Sequence, residues 1–256
     1  MYGDIETDAS RRCLDIIAGR LEIDFCLIGG WAVYYLVNER YHALMRREYL
    51  GSRDIDLGFP SPDGITKMEV LLIDELGFIP RSFRYVKQLH FETGEELSDE
   101  AARKLPLPMI FPLYVDVLLP SSGEKVRGKL GFVPPDEPLL DRVFGEKRCS
   151  TTEGIGTNEV KVPTPDILMA MKLNSVVNRF EDHKRVKDLC DLTSLALFTD
   201  QNRVDLVESV VGASDERRLK KLSGALSIED VQRAGDILGI DMLTVRGVIS
   251  DFGWSP

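Results

Sequence analysis

The sequence has few of the residues that build zinc sites and disulfide frameworks. Its 256 residues include three histidines, and its four cysteines, Cys13, Cys26, Cys149 and Cys190, contain no CxxC pair. Zinc sites use closely spaced cysteines and histidines, and disulfide-stapled domains are small and dense in cysteine. We therefore expect buried or idle thiols, and we expect any bound metal to be a hard ion with oxygen ligands.

Long apolar runs and a basic, apolar leader are also missing. The longest nearly apolar run, residues 25–37, contains two adjacent glycines and is too short to cross a bilayer. Residues 1–10 carry three acids and have neither the basic start nor the apolar core of a signal peptide. With 43% hydrophobic and 29% charged residues, the composition is that of an ordinary globular protein. These features predict a soluble, cytoplasmic protein with no transmembrane segment.

Positive charge is in the minority, because the formal net charge is -10. Affinity for the phosphate backbone needs clustered cations, so nonspecific binding along nucleic acid is not expected. Arg40, Arg46, Arg47 and Arg53 nevertheless form a local basic concentration. This concentration suits either an RNA or triphosphate contact or an ordinary charged loop.

Hydrophobic periodicity predicts an α+β fold with a small mixed sheet flanked by helices. The predicted strands are 25–28, 54–59, 84–91, 114–119 and 159–162, and the helices among them are 9–20, 31–39, 65–76 and 98–104. After Thr164-Pro165, an N-cap followed by a first-turn proline, the pattern is helical. The predicted C-terminal helices are 166–177, 184–198, 204–211, 228–238 and 240–249. We place a domain boundary near Val162, which gives an α+β domain of residues 1–162 and a helical domain of residues 163–256.

Three acidic residues occupy strand positions that suggest a metal site. In a strand, Asp54 and Asp56 project from one face, while Ile55 between them faces the core. Asp116 is a single acid inside an apolar strand, where burial without a partner is costly. Close carboxylates repel each other unless a cation neutralises them, and Mg²⁺, or Mn²⁺ in its place, suits carboxylates together with phosphates. For an isolated Asp-x-Asp pair, a solvated strand edge is the ordinary alternative.

A glycine turn supports the metal-site interpretation. Gly29-Gly30 separates the first predicted strand from a helix, and backbone amides at such a turn can bind an anion. Glycine pairs alone are weak indicators, because many tight turns use glycine only for its backbone freedom. Trp31 follows the pair on an apolar helix, where a core position is more common than a base-stacking one.

These segments together resemble the DNA polymerase beta-like nucleotidyltransferase superfamily. The similar stretches are Leu27-Ile28-Gly29-Gly30, Ser52-Arg53-Asp54-Ile55-Asp56-Leu57 and Tyr114-Val115-Asp116-Val117-Leu118. The resemblance implies that Gly29 and Gly30 hold the triphosphate and that Arg53 lies in the nucleotide site. It also implies that Asp54, Asp56 and Asp116 are catalytic and bind two Mg²⁺ ions. Gly-Gly-Trp-Ala, where a common form is Gly-Ser, is similar to the branch that contains AbiEii and MenT toxins.

The second half of the chain adds to the likeness with that branch. Met171-Lys172-Leu173 and Arg185-Val186-Lys187-Asp188-Leu189-Cys190-Asp191 resemble its lysine helix and its Lys-Asp-x-x-Asp helix. The resemblance implies nucleotide-binding roles for Lys172, Asp188 and Asp191. From the residues alone, Lys172 could equally extend to solvent, and the later residues could form a solvated helix face.

The function that the resemblance implies is transfer of a nucleoside monophosphate from an NTP, with ATP as one candidate, to an acceptor. The AbiEii/MenT likeness implies a tRNA acceptor, and a toxin that a partner antitoxin restrains. Two alternatives remain open. One is transfer to a small molecule of the aminoglycoside type. The other is a catalytically inactive module that binds a nucleotide or an antitoxin.

Overall fold

The structure of the protein, a computed structural model, describes residues 3–155 and 158–255. Its strands are β1 (Cys26–Ile28), β2 (Ile55–Gly58), β3 (Ile79–Arg81), β4 (Arg84–His90), β5 (Ile110–Leu118), β6 (Cys149–Ile155) and β7 (Asn158–Pro163). Over the described residues they form one mixed sheet in the order β3-β4-β5-β2-β1-β7-β6. The sheet, flanked by helices, confirms the predicted α+β class.

Helices make up most of the remainder. They are α1 (Asp4–Arg20), α2 (Gly29–Met45), α3 (Pro62–Glu69), α4 (Asp99–Lys104), α5 (Glu124–Leu130), α6 (Leu140–Phe144), α7 (Pro165–Val176), α8 (Asp182–Leu197), α9 (Arg203–Ala213), α10 (Glu216–Leu219), α11 (Leu222–Ala225), α12 (Ile228–Leu238) and α13 (Met242–Ser250). A π-helical segment, Val70–Glu75, follows α3, and a short 3-10 turn, Leu107–Met109, precedes β5. None of the described helices is long and apolar enough to cross a membrane.

The chain divides into two compact units. The sheet unit comprises residues 3–31 and 51–162, and the helical unit comprises residues 32–50 and 163–255, apart from undescribed residues. The sequence boundary near Val162 placed residues 32–50 with the sheet, but these residues group with the C-terminal helices. One reason is Tyr41, whose hydroxyl donates to the carbonyl of Leu238 at 3.0 Å and whose ring packs edge-on against Phe198. Separate functions for residues 1–162 and 163–256 stay a prediction.

The central strand β5 alternates between buried and partly exposed residues. In β5, Phe111, Leu113, Val115 and Val117 are buried, and the residues between them are partly exposed. β5 pairs with β2 in parallel and with β4 in antiparallel fashion, so both of its edges are bonded inside the sheet. One face of β5 therefore supplies core, and the other is open enough to carry polar side chains.

Some elements differ from the sequence prediction for identifiable reasons. β3 was not predicted, because it is a three-residue edge strand with Pro80 at its centre, and proline cannot donate to a ladder. β6 was not predicted either, because its residues Cys-Ser-Thr-Thr-Glu-Gly-Ile lack apolar alternation. The helix predicted for 65–76 instead begins at Pro62, and it changes to π-helical bonding at Val70.

The capping box at the start of α12 gives a first testable prediction. The Ser227 hydroxyl accepts from the Asp230 amide at 3.1 Å, and the Asp230 carboxylate accepts from the Ser227 amide at 3.0 Å. Ser227→Ala removes one of these acceptors and should cost about 1 kcal/mol, or roughly 2–4 °C in Tm. Thermal unfolding followed by circular dichroism measures the shift. Ser227→Thr keeps the acceptor and is the control, and equal Tm values for the Ala variant and the wild type would contradict the role of the cap.

Candidate active site

A row of four charged residues crosses the sheet unit from strand to strand. Asp56 in β2 is the register partner of Asp116 in β5, which in turn is the partner of Arg84 in β4. Arg84 is also the register partner of Arg81 in β3. Register partners on neighbouring strands present their side chains to the same face. The row therefore places two arginines beside two aspartates on one face of the sheet.

Asp116 is paired with Arg84. Its Oδ2 accepts a hydrogen bond from Arg84 Nη2 at 2.7 Å, while Val115 and Val117 on either side are fully buried. A carboxylate this close to a buried layer needs a charged or hydrogen-bonding partner. The sequence predicted that need, but it did not identify Arg84, because only the strand register brings residues 84 and 116 together.

Asp54 lies just before β2 and is held by Arg53. Arg53 Nε is 3.4 Å from Asp54 Oδ1, and Arg53 Nη1 is 3.6 Å from Glu6 Oε1. The Ser52 hydroxyl donates to the Asp54 carbonyl at 2.9 Å, which fixes the backbone there. Arg53 thus joins α1 to the acidic strand. Its predicted contact with a nucleotide stays a prediction.

The glycine turn packs directly against Asp56. Gly29, the first residue of α2, has φ +69°, and a Cβ at this position would lie 2.7 Å from Asp56 Cγ and overlap its carboxylate. Glycine is required there both by the backbone angle and by the close approach. The neighbouring Gly30 is buried. Trp31 is buried as well, and its indole N–H donates to Ser10 Oγ at 2.9 Å, which makes it a core residue.

The carboxylates fit a divalent cation in donor chemistry. Asp54, Asp56 and Asp116 offer only oxygen, the donor that Mg²⁺ prefers, and Asp56 and Asp116 are neighbours on one face. Across residues 3–155 and 158–255, however, no three His, Cys, Asp or Glu side chains are arranged to hold a metal ion. Arg53 and Arg84 pair with two of the three carboxylates, Asp54 and Asp116.

The arginines of the predicted basic concentration belong to two different compact units. Arg40 and Arg47 donate to backbone carbonyls within the helical unit, at 3.2 and 2.6 Å, whereas Arg53 bonds inside the sheet unit. Arg46 takes a left-handed backbone conformation just after the end of α2. Arg40 lies inside α2 and is not in a loop, whereas Arg46 and Arg47 follow the helix and fit the charged-loop interpretation.

Lys172, Asp188 and Asp191 meet in a buried ion network of the helical unit. Lys172 Nζ, on α7, lies 2.9 Å from Asp188 Oδ1 and 2.7 Å from Asp191 Oδ2, both on α8. Arg179 Nε donates to the second oxygen of Asp188 at 2.7 Å, and the Tyr49 hydroxyl donates to Asp191 at 2.7 Å. Lys172 is 8% exposed and does not extend to solvent, and Asp188 and Asp191 are too buried to form a solvated helix face.

Mutual attraction favours the ionised forms of Lys172 and Asp188. Burial opposes the charged form of Asp188, but Lys172 and Arg179 outweigh that effect and hold its pKa below the ordinary value. Burial likewise opposes the charged form of Lys172, while Asp188 and Asp191 raise its pKa above the ordinary value. The structure brings the three predicted residues together as partners of one another. Their contact with a nucleotide stays a prediction.

Replacing Gly29 should damage the site and the fold together. Gly29→Ala introduces a Cβ into the Asp56 carboxylate and forces a left-handed alanine, which alone costs about 1–2 kcal/mol. Urea unfolding measures the loss. Gly128→Ala is the matched control, because Gly128 lies inside α5 with nothing within 4 Å of an added Cβ, so that variant should be neutral or slightly stabilising. Equal stability of the two alanine variants would contradict the proposed close approach.

Replacing Lys172 should lower the free energy of unfolding. Lys172→Met leaves Asp188 and Asp191 without a shared cation and should lower the free energy of unfolding by roughly 3 kcal/mol. Lys184→Met, which removes a surface ion pair with Glu181, should change it by less than about 1 kcal/mol. Urea unfolding at a series of pH values is the measurement.

The pH dependence of the Lys172→Met effect has a definite sign. Because the folded pKa of Asp188 is lowered, its stabilisation is complete above the ordinary aspartate pKa of about 4 and is lost as pH falls further. Because the folded pKa of Lys172 is raised, its stabilisation is complete below the ordinary lysine pKa of about 10.4. The gap between wild type and variant should therefore be full from about pH 5 to 10 and narrow below pH 4. A gap that widens in acid would contradict the ionised network.

Comparison with known proteins supports the fold. The sequence matches no protein-family model, and no curated protein matches it either. Among solved structures, it is similar to the crystal structure of an antigenic nucleotidyltransferase-like protein from Paracoccidioides brasiliensis. The TM-score is 0.50 and the identity 12%, and the match covers 92% of this chain and 94% of that chain. The chain therefore shares its overall fold with that protein, while its place in the AbiEii/MenT branch stays a prediction.

Proposed function

We propose that the protein is a metal-dependent nucleotidyltransferase, which moves a nucleoside monophosphate from an NTP such as ATP to an acceptor and releases pyrophosphate. The observation that carries the proposal is the placement of Asp56 beside Asp116, with the Asp56 carboxylate against Gly29 at the start of α2. An acidic pair at the N-terminus of a helix joins a cation site to a region that favours anions. A triphosphate with its bound metal needs both the cation site and the region that favours anions.

The acidic residues would hold the metal. Asp54, Asp56 and Asp116 are the ligands we assign to two Mg²⁺ or Mn²⁺ ions, which when bound would neutralise phosphate charge. Asp116 would lie nearest the attacking oxygen of the acceptor. Arg53 would keep Asp54 in position through its contacts with Asp54 and Glu6.

The helical unit would contribute to nucleotide binding in this proposal. Lys172 is the candidate phosphate contact, and Asp188 and Asp191 are the groups that hold it in place. A phosphate would have to replace one of these carboxylates on the lysine. The buried ion pairs support the role of Asp188 and Asp191 in holding Lys172. They support a contact between Lys172 and a phosphate less directly.

The acceptor we propose is tRNA, and the biological role is that of a toxin restrained by a partner antitoxin. This part rests on the resemblance of Gly29-Gly30-Trp31-Ala32 and of the Lys187-Asp188 segment to the AbiEii and MenT branch. Transfer to a small molecule is tested in the same experiment.

A second candidate is a nucleotide-binding module without turnover. It is favoured by the pairing of Asp54 with Arg53 and of Asp116 with Arg84, which neutralises two carboxylates without any metal. In such a module the arginines would be permanent partners. Incorporation of label distinguishes the two candidates.

The decisive measurement follows label from each α-labelled NTP into total tRNA, or into a panel of small hydroxylated amines, with Mg²⁺ or Mn²⁺. Wild type should label one acceptor class, and Asp56→Asn and Asp116→Asn should each reduce the rate by about 100-fold or more, because each removes a charge that stabilises the transition state. Asp99→Asn, an exposed acid on α4, is the control and should leave the rate unchanged.

Three results would argue against this proposal or its acceptor. Label transfer that survives both substitutions would contradict the assigned acids. NTP binding without transfer to either acceptor class would favour the module, and labelling of small molecules alone would replace tRNA as the acceptor.

A further inference from the structure

We infer that Arg84 is a displaceable counter-ion of Asp116, which competes with a divalent metal for that carboxylate. This inference rests on the proposed function, because it assumes that Asp116 is a metal ligand. Arg84 Nη2 is 2.7 Å from Asp116 Oδ2, on the strand next to it and at its register partner. The pair is set by the sheet itself rather than by a mobile loop.

A metal ion and the Arg84 guanidinium would compete for the Asp116 carboxylate. A divalent ion bound to Asp116 would lie a few ångströms from a group that keeps its positive charge at any ordinary pH. Like charges this close repel, and the partial exposure of the pair weakens that repulsion without removing it. The ion must therefore either displace Arg84 or bind more weakly while Arg84 stays.

Arg84 has favourable contacts besides the one with Asp116. Its guanidinium carbon lies 4.5 Å from the ring centroid of Tyr114 and 5.3 Å from that of Phe83. Stacking on aromatic faces favours the cation independently of the carboxylate. The Arg84 side chain is also 36% exposed, so water can solvate it after the exchange. These contacts let the arginine release one anion without becoming a buried unpaired charge.

Substrate-free metal binding tests the competition without any turnover. Full-length protein is titrated with Mn²⁺ in the absence of nucleotide, and the free ion is followed by electron paramagnetic resonance. Arg84→Met keeps an apolar contact with Tyr114 but removes the competing charge, and it should tighten Mn²⁺ binding about fivefold, which corresponds to about 1 kcal/mol. Adding Asp116→Asn to Arg84→Met should abolish that gain.

Two controls separate displacement from a general change in charge. Arg81→Met removes the same charge from the next strand, at the register partner of Arg84, and should change the affinity by less than about twofold. Arg84→Lys keeps a cation at the same position and should bind Mn²⁺ nearly as weakly as wild type. Circular dichroism establishes that each variant is folded.

Several outcomes would overturn the inference. These are unchanged or weaker Mn²⁺ binding by Arg84→Met, an equal gain in Arg81→Met or in Arg84→Lys, or no Mn²⁺ bound by any variant. Failure of the proposed function can be told apart from failure of this inference. The first would appear as no label transfer to an acceptor, and the second as the wrong pattern of Mn²⁺ affinities. A chain that shows the expected Mn²⁺ pattern but transfers no label would support Arg84 as counter-ion and contradict the transferase.

Discussion

The parallel register between β2 and β5 is the constraint on which the rest of the sheet site depends. It sets Asp56 directly beside Asp116, and two adjacent carboxylates on one face are unstable unless something neutralises them. The neighbouring residues follow from that requirement. Arg84 neutralises Asp116 from β4, Arg53 is paired with Asp54, and Gly29 leaves room for the Asp56 carboxylate.

The sequence predicted the acids of the site but not the groups that oppose them. Alternation of Asp54 and Asp56 with buried Ile55 is local information, and so is the single acid Asp116 in an apolar strand. The partnership of Arg84 with Asp116 depends on how two strands align, and no spacing along the chain encodes that alignment. The same limit explains why Lys172 had two equal interpretations, since its partners lie on another helix.

Fold prediction succeeded where hydrophobic periodicity was strong and failed where it was absent. The capping box of α12 had a clear local signal, and so did the second half of β5, which was predicted as 114–119 but begins at Ile110. The polar strand β6 and the three-residue strand β3 had none, because edge strands need little apolar surface. Residues 32–50 group with the C-terminal helices through contacts such as Tyr41 with Leu238, which the sequence does not reveal.

Burial separates two kinds of ion pair in this protein. In the helical unit, the side chains of Asp188 and Asp191 are 3% and 0% exposed, so removing a partner would leave a charge with no water to replace it. In the sheet unit, Asp54 and Arg84 are 24% and 36% exposed, and solvent can compensate while a partner changes. Pairs of the first kind fix a geometry, and pairs of the second kind can exchange one cation for another at small cost. If the protein binds metal, the exchange of one cation for another should therefore occur at the sheet, where Arg84 and Asp54 are partly exposed.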